Sequence, residues 1–230
     1  MIRALLFDFD GVIVDTEVGT FQSWREVYAE HGAELAIEDW LAAVGSGSST
    51  SGAFDAIAHL ERLIGASVDR EAVIARRSGR KAELHEKAPL LPGVRELLRE
   101  AWKHGLRTAV VTRNHEDRVR ARCKAVGLGH RWDALVCANE EPTRDKAMLY
   151  RLALEALEVE GHESVAFEDS PAGVSSAKRA GVICVAVPNE ITRSADFGDA
   201  DVTLSTLAGV SLEKISAIVA GSRRDIVPPA

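Results

Sequence analysis

The feature that most constrains this chain is a succession of short apolar, β-branched runs, each followed by a stretch of helical character. The runs are Ala4 to Phe9, Arg107 to Thr112, Ala134 to Ala138, Ser164 to Phe167, Val182 to Val187 and Val202 to Leu204. Most are almost continuously apolar, as parallel strands must be when both faces are covered. Between the first two, Val94, Leu97, Leu98 and Ala101 recur at helical spacing, and Gly105 follows as a stop. Further helices are predicted over about 146–157 and 171–180. Strands alternating with helices predict an α/β fold built on a doubly wound parallel sheet.

Residues 15–88 break this rhythm. No strand pattern occurs there, and Phe21, Trp24, Val27 and Tyr28 fall at helical intervals. A Gly/Ser-rich turn, Gly45 to Gly52, interrupts them. The expected organisation is therefore a core of residues 1–14 and 89–230 with a small α-helical module, 15–88, inserted after the first strand. Leu90-Leu91-Pro92-Gly93 marks the return to the core, and Arg223 to Ala230 reads as a loose tail.

Charge narrows the partners. The formal net charge is −7, which argues against nucleic-acid binding, since that needs a basic face. An acidic protein also attracts a phosphorylated ligand poorly unless a bound cation supplies local positive charge. No apolar run approaches the ~20 residues that span a bilayer, and the N-terminal apolar stretch reads as a strand rather than a signal peptide. The three cysteines show no zinc-ligand spacing. These features suggest a reducing, cytoplasmic setting without a membrane partner.

The first strand runs into Asp8-Phe9-Asp10-Gly11. Ligands bind beyond the carboxyl ends of parallel strands, so both aspartates lie where a site would be. Strand alternation would put them on one side. Two carboxylates this close repel unless a cation or proton lies between them. Read alone, the motif is equally well a turn. A second acidic cluster, Glu168-Asp169, ends the run Ser164 to Phe167, with Ser170 and Pro171 suited to start a helix. Capping needs Ser170 but not two carboxylates before it. Carboxylates from two strand ends meeting at one hard divalent cation, Mg²⁺ above all, is the better reading.

The stretch from Asp8 to Glu17, with Phe167-Glu168-Asp169-Ser170-Pro171-Ala172-Gly173-Val174 and Ala180-Gly181, resembles the haloacid dehalogenase superfamily. Within it, the similarity is to the phosphatase and β-phosphoglucomutase-like branch with a helical cap. The resemblance implies a Rossmann-like core and a Mg²⁺-dependent phosphomonoester hydrolase acting on a small phosphorylated metabolite such as a sugar phosphate. It implies that Asp8 forms an aspartyl-phosphate and that Asp10 protonates the leaving oxygen, then activates water. It places the ion on Asp8, the main-chain carbonyl of Asp10, and Asp169, with Glu168 among the ligands or just behind them.

The same resemblance calls for a hydroxyl at the end of the second strand, here Thr112, and Asn114 could add a contact. Arg113 faces either phosphate or solvent. It also calls for a cation, but Glu141-Pro142-Thr143-Arg144-Asp145 departs from the family's Lys-Pro-x-Pro-Asp pattern. Lys146 is favoured for that role over Arg144. Thr16 and Gly45 are assigned to the substrate side, and Thr20 stands where mutase relatives carry a histidine. Most of the insert's arginines read as solvated helix faces, and the histidines as surface or packing residues. A sugar-phosphate mutase and a non-catalytic binding module on the same fold are the alternatives, and a monomer or weak homodimer is expected.

Overall fold

The computed structural model describes residues 1–40, 54–129, 131–139 and 145–222. Six strands form one sheet: β1 (Ala4–Phe7), β2 (Arg107–Thr112), β3 (Ala134–Cys137), β4 (Ser164–Glu168), β5 (Ile183–Ala186) and β6 (Val202–Thr203). Their order is β3-β2-β1-β4-β5-β6, and every pairing is parallel. The helices are α1 (Glu17–Glu30), α2 (Ala56–Ile64), α3 (Arg70–Lys87), α4 (Val94–Lys103), α5 (Glu116–Ala125), α6 (Lys146–Leu157), α7 (Pro171–Arg179) and α8 (Leu212–Ser222).

Period-two alternation along β1 explains the layering. Leu5 and Phe7 join one apolar layer with residues of α4, α5 and α8, including Leu97, Leu98, Val119 and Ile215. Ala4 and Leu6 join the other with Leu149, Tyr150 and Ala153 of α6 and Val174 and Ala177 of α7. Both faces of the strand are thus dry, which is why it carries no polar residue before Asp8. Each fully buried Leu or Phe here contributes about 1.5–3 kcal/mol. Phe7 stacks on Phe167 of the neighbouring strand at 4.8 Å.

β1 ends at Phe7, two residues earlier than the apolar run predicts. The chain then turns: the amides of Ile13 and Val14 both donate to the carbonyl of Phe9. Gly11 takes φ +76°, and a Cβ there would collide with the Asp169 carboxylate. Asp10 is therefore placed by a glycine turn and not by strand alternation, a correction to the sequence reading. Two helices escaped that reading. In α5, EDRVRARCKA, only Val119 and Cys123 are buried, so the apolar period is too sparse to see. The other is α8.

Between residues 17 and 87 the described structure is helical. α1 packs on α3, and Phe21, Val27, Tyr28, Leu60 and Val73 form a third apolar cluster that also takes in Ile191. Gly45 and the tail from Arg223 lie outside the described residues.

Candidate active site

In a sheet of this order the strand sequence reverses at β1, where one neighbour is β2 and the other β4. The crevice at that switch lies beyond the carboxyl ends of both strands. Asp8 follows β1 directly, and its amide donates to Phe167 O at 3.0 Å. Glu168 closes β4, and Asp169 comes next. Ligand oxygens of Asp8, Glu168 and Asp169 lie within 4.8 Å of one another, and all three residues are buried.

One cation sits among them. Lys146 Nζ lies 2.8 Å from Asp8 Oδ2 and 2.7 Å from Glu168 Oε1. Lys146 is the first residue of α6, whose N-cap, Asp145, accepts from the Ala147 amide. The start of a helix disfavours a cation, and burial disfavours it further. Asp8 and Glu168 outweigh both and hold the ammonium above the usual lysine range. Arg144, the other candidate, lies outside the described residues.

The carboxylates feel the opposite imbalance. Burial, then Glu168, push Asp8 up to about 8 against the pull of Lys146. Burial and the neighbouring Asp8 raise Asp169 well above the carboxylate range. Three buried carboxylates with one ammonium are short of positive charge. Glu168 Oε2, moreover, is buried with no hydrogen-bond partner. Its other oxygen accepts from Tyr150 Oη at 2.5 Å, and a Cβ on Gly173 would overlap the carboxylate. An all-oxygen donor set, short of positive charge, fits a hard divalent cation.

Thr112, Asn114, Thr16 and Asp10 form a second group joined by hydrogen bonds. Thr112, buried at the end of β2, accepts from the Asn114 amide at 3.2 Å and from Asn114 Nδ2 at 3.3 Å. Its own hydroxyl proton has no acceptor among the described residues. Asn114 Nδ2 also donates to Asp10 Oδ2, and Thr16 Oγ1 donates to Asp10 Oδ1 at 2.5 Å. Thr16 is buried and turned onto Asp10 rather than left open to a ligand. Arg113 is half-buried.

A cavity of about 520 Å³ opens beside Asp10 and Asn114, walled by Glu17, Thr20, Trp24, Trp40, Arg77, Lys81, His85 and Arg118 among others. The insert's basic residues divide between the surface and the cavity. Arg76 and Arg80 do face outward and pair with Glu30 and Glu26, but Arg77 lines the cavity. His85 is a buried part of its wall. Asn189, also missed, donates to Asp169 Oδ2 at 2.7 Å. One signal was available: Arg77, Lys81 and His85 stand four apart and so share one helix face. Nothing local marks Asn189.

A parallel α/β sheet with paired carboxylates and a lysine at its switch point defines a class of hydrolase. Similarity says which one. The sequence model described as haloacid dehalogenase-like hydrolase matches residues 5–187. The chain is 35% identical over 213 residues to YhcW of Bacillus subtilis (strain 168), spanning 92% of this chain and 95% of that protein. It is 30% identical over 226 residues to protein CbbY of Rhodobacter capsulatus, spanning 93% and 97%. The crystal structure of CbbY from Rhodobacter sphaeroides in complex with phosphate superposes with a TM-score of 0.71 at 29% identity, covering 94% of this chain and all of that one. The chain belongs to the haloacid dehalogenase-like hydrolase family.

Proposed function

We propose that this chain hydrolyses a small phosphorylated metabolite, with Asp8 as the nucleophile and Asp10 as the acid and base. The observation that carries the reading is the buried Asp8 carboxylate, held at 2.8 Å by Lys146 beside Glu168 and Asp169. Names among the relatives agree in chemistry. One is a validoxylamine A 7'-phosphate phosphatase of Streptomyces hygroscopicus subsp. limoneus, 29% identical over 212 residues. Another is the fructose-1-phosphate phosphatase YqaB of Escherichia coli (strain K12), 32% identical over 190 residues.

In this reading an oxygen of Asp8 bonds to phosphorus as the ester bond breaks, and the departing oxygen takes its proton from Asp10. Water then attacks the phosphorus of the aspartyl-phosphate and gives a proton to Asp10. Inorganic phosphate leaves, and both carboxyl groups are restored. Thr112 directs its unused hydroxyl proton at a phosphoryl oxygen, and Lys146 offsets charge on Asp8 and the phosphoryl group. Asp8, Asp169, Glu168 and the Asp10 carbonyl would hold Mg²⁺, which when bound supplies positive charge to the transferring phosphoryl group. Glu168 orients Lys146 while Tyr150 holds Glu168.

The test is turnover of p-nitrophenyl phosphate with Mg²⁺ or EDTA, in the native chain and Asp8→Asn. Metal-dependent release of inorganic phosphate, absent from the variant, is expected. Equal background in all four samples would instead identify a binding module. Conversion of glucose 1-phosphate to its 6-phosphate without phosphate release would identify a mutase.

A further inference from the structure

Five groups between the core and the inserted helices form a hydrogen-bonded series that ends on Asp10. Arg118, on the exposed side of α5, meets His85 Nδ1. His85 Nε2 lies 2.8 Å from Thr20 Oγ1. Thr20 Oγ1 donates to Thr16 O at 3.0 Å, and Thr16 Oγ1 donates to Asp10 Oδ1 at 2.5 Å. His85, Thr20 and Thr16 are all buried.

The chemistry of the two ends fixes the direction of every link. A guanidinium can only donate, so His85 Nδ1 must accept. A neutral ring that accepts at Nδ1 carries its proton on Nε2 and donates it to Thr20. Thr20 has one proton, and a carbonyl can only accept, so that proton goes to Thr16 O. The donors therefore all run one way, from Arg118 toward Asp10. The bonds from Arg118 through His85 and Thr20 to Thr16 O polarise one another. The Thr16 hydroxyl makes its own bond to Asp10, so the two parts are joined by the placement of Thr16 itself. A doubly protonated ring would set an N–H against the guanidinium and break the series. Burial, with Lys81 and Arg118 nearby, pushes the ring down to about 4, so it is neutral at pH 7.

Thr16 shows what the series is for. It stands at the N-cap of α1, yet its side chain makes no capping bond. A cap hydroxyl ordinarily stabilises the start of a helix, and here it is given to Asp10 instead. Arg118 belongs to the core, and His85 to the inserted helices. Arg122, also on α5, reaches the main-chain carbonyl of Glu86. The series is thus complete only while α3 is seated against α5.

We propose that His85, as its Nε2–H tautomer, is a positioning residue that couples the seating of the inserted helices on α5 to the orientation of Asp10. The role rests on the proposed function, because it acts through the group that gives the leaving oxygen its proton.

The experiment compares two substrates in the native chain, His85→Ala, His85→Gln and Arg118→Met. Glycerol 3-phosphate has a leaving oxygen that must be protonated, whereas p-nitrophenolate leaves without a proton. Misplacing Asp10 should cost about 10- to 100-fold in kcat/KM on glycerol 3-phosphate in His85→Ala and much less on p-nitrophenyl phosphate. His85→Gln, whose amide restores the donor to Thr20, should recover most of the difference. Arg118→Met changes an exposed residue and should show the same split if His85→Ala fails to fold. Arg80→Gln, on the outward face of α3, should leave both substrates unaffected. An equal loss on both substrates in His85→Ala and Arg118→Met would overturn the proposal. So would ¹⁵N spectra showing His85 protonated on Nδ1 at pH 7, a measurement that needs no turnover. Failure of the native chain on every phosphate ester would overturn the phosphatase reading instead, with the spectra still deciding the tautomer.

Discussion

Lys146 Nζ bridges Asp8 Oδ2 at 2.8 Å and Glu168 Oε1 at 2.7 Å, so the nucleophile proposed here shares its ammonium with a carboxylate from another strand. The bridge needs three elements at once. β1 and β4 bring the carboxylates side by side, and α6 starts where its first side chain reaches both.

Removing the ammonium should show in rate before it shows in folding. Lys146→Met should lower kcat by about 10²- to 10³-fold, the usual cost of one lost charge-stabilising donor. Asp8 can take a proton in the variant, which limits the loss of stability. Steady-state kinetics together with thermal unfolding will separate the two effects. Retention of kcat would remove Lys146 from the mechanism.

Asp10→Asn should slow turnover by about 10²- to 10⁴-fold while weakening Mg²⁺ binding little, since only its carbonyl is assigned to the ion. Calorimetric titration of the variant with Mg²⁺ tests the division of roles. A large drop in metal affinity would mean the side chain is a ligand.

Metal binding should depend on pH in a particular direction. Asp8, pushed up to about 8 by burial and Glu168, and Asp169, raised by burial and Asp8, keep protons that a cation must displace. Mg²⁺ affinity should therefore rise as pH increases toward 8 and then level off. Proton release, measured by calorimetry in buffers of different ionisation enthalpy, should accompany binding at pH 7.

The same shifts set the stability of the metal-free chain. A carboxyl whose folded pKa exceeds its unfolded value of 3.8 favours the native state at low pH, and that contribution is lost as pH rises toward 8. Melting temperatures without metal should fall over that interval from these groups. The increment given by Mg²⁺ should be larger at pH 8 than at pH 6. An increment independent of pH would disprove the assignment.

Gly11→Ala should be severely disruptive for two reasons. Its φ of +76° strains any L-residue, and the added methyl would collide with Asp169. Loss of Mg²⁺ binding together with a lowered melting temperature is expected. A variant with native metal affinity would show that Asp169 can move without consequence.

The amino-acid order alone determined the alternation of strands and helices. Each strand buried on both faces must be apolar throughout, and each helix packed on a sheet must repeat its apolar residues every three to four positions. Asp8, Asp10, Glu168 and Asp169 were legible for the same reason: they interrupt apolar runs at strand ends. Ser170 and Pro171, which start α7, were equally readable because a cap is a local bond.

What the tertiary structure decided are meetings between segments that no local period links. Lys146 looks like any surface lysine at a helix start until α6 packs against the sheet and buries it between two carboxylates. Tyr150 and Asn189 find Glu168 and Asp169 only across layers. Arg77 and Arg80 lie one turn apart in sequence terms, yet one lines the cavity and the other pairs with Glu26 in a half-buried contact between helices. His85 and Thr20 come from different helices, and only the packing of α1 on α3 brings ring and hydroxyl together. Periodicity records which face of an element is dry. Which residue of another element it will touch depends on how the elements cross, and that is set by the packing of the whole core.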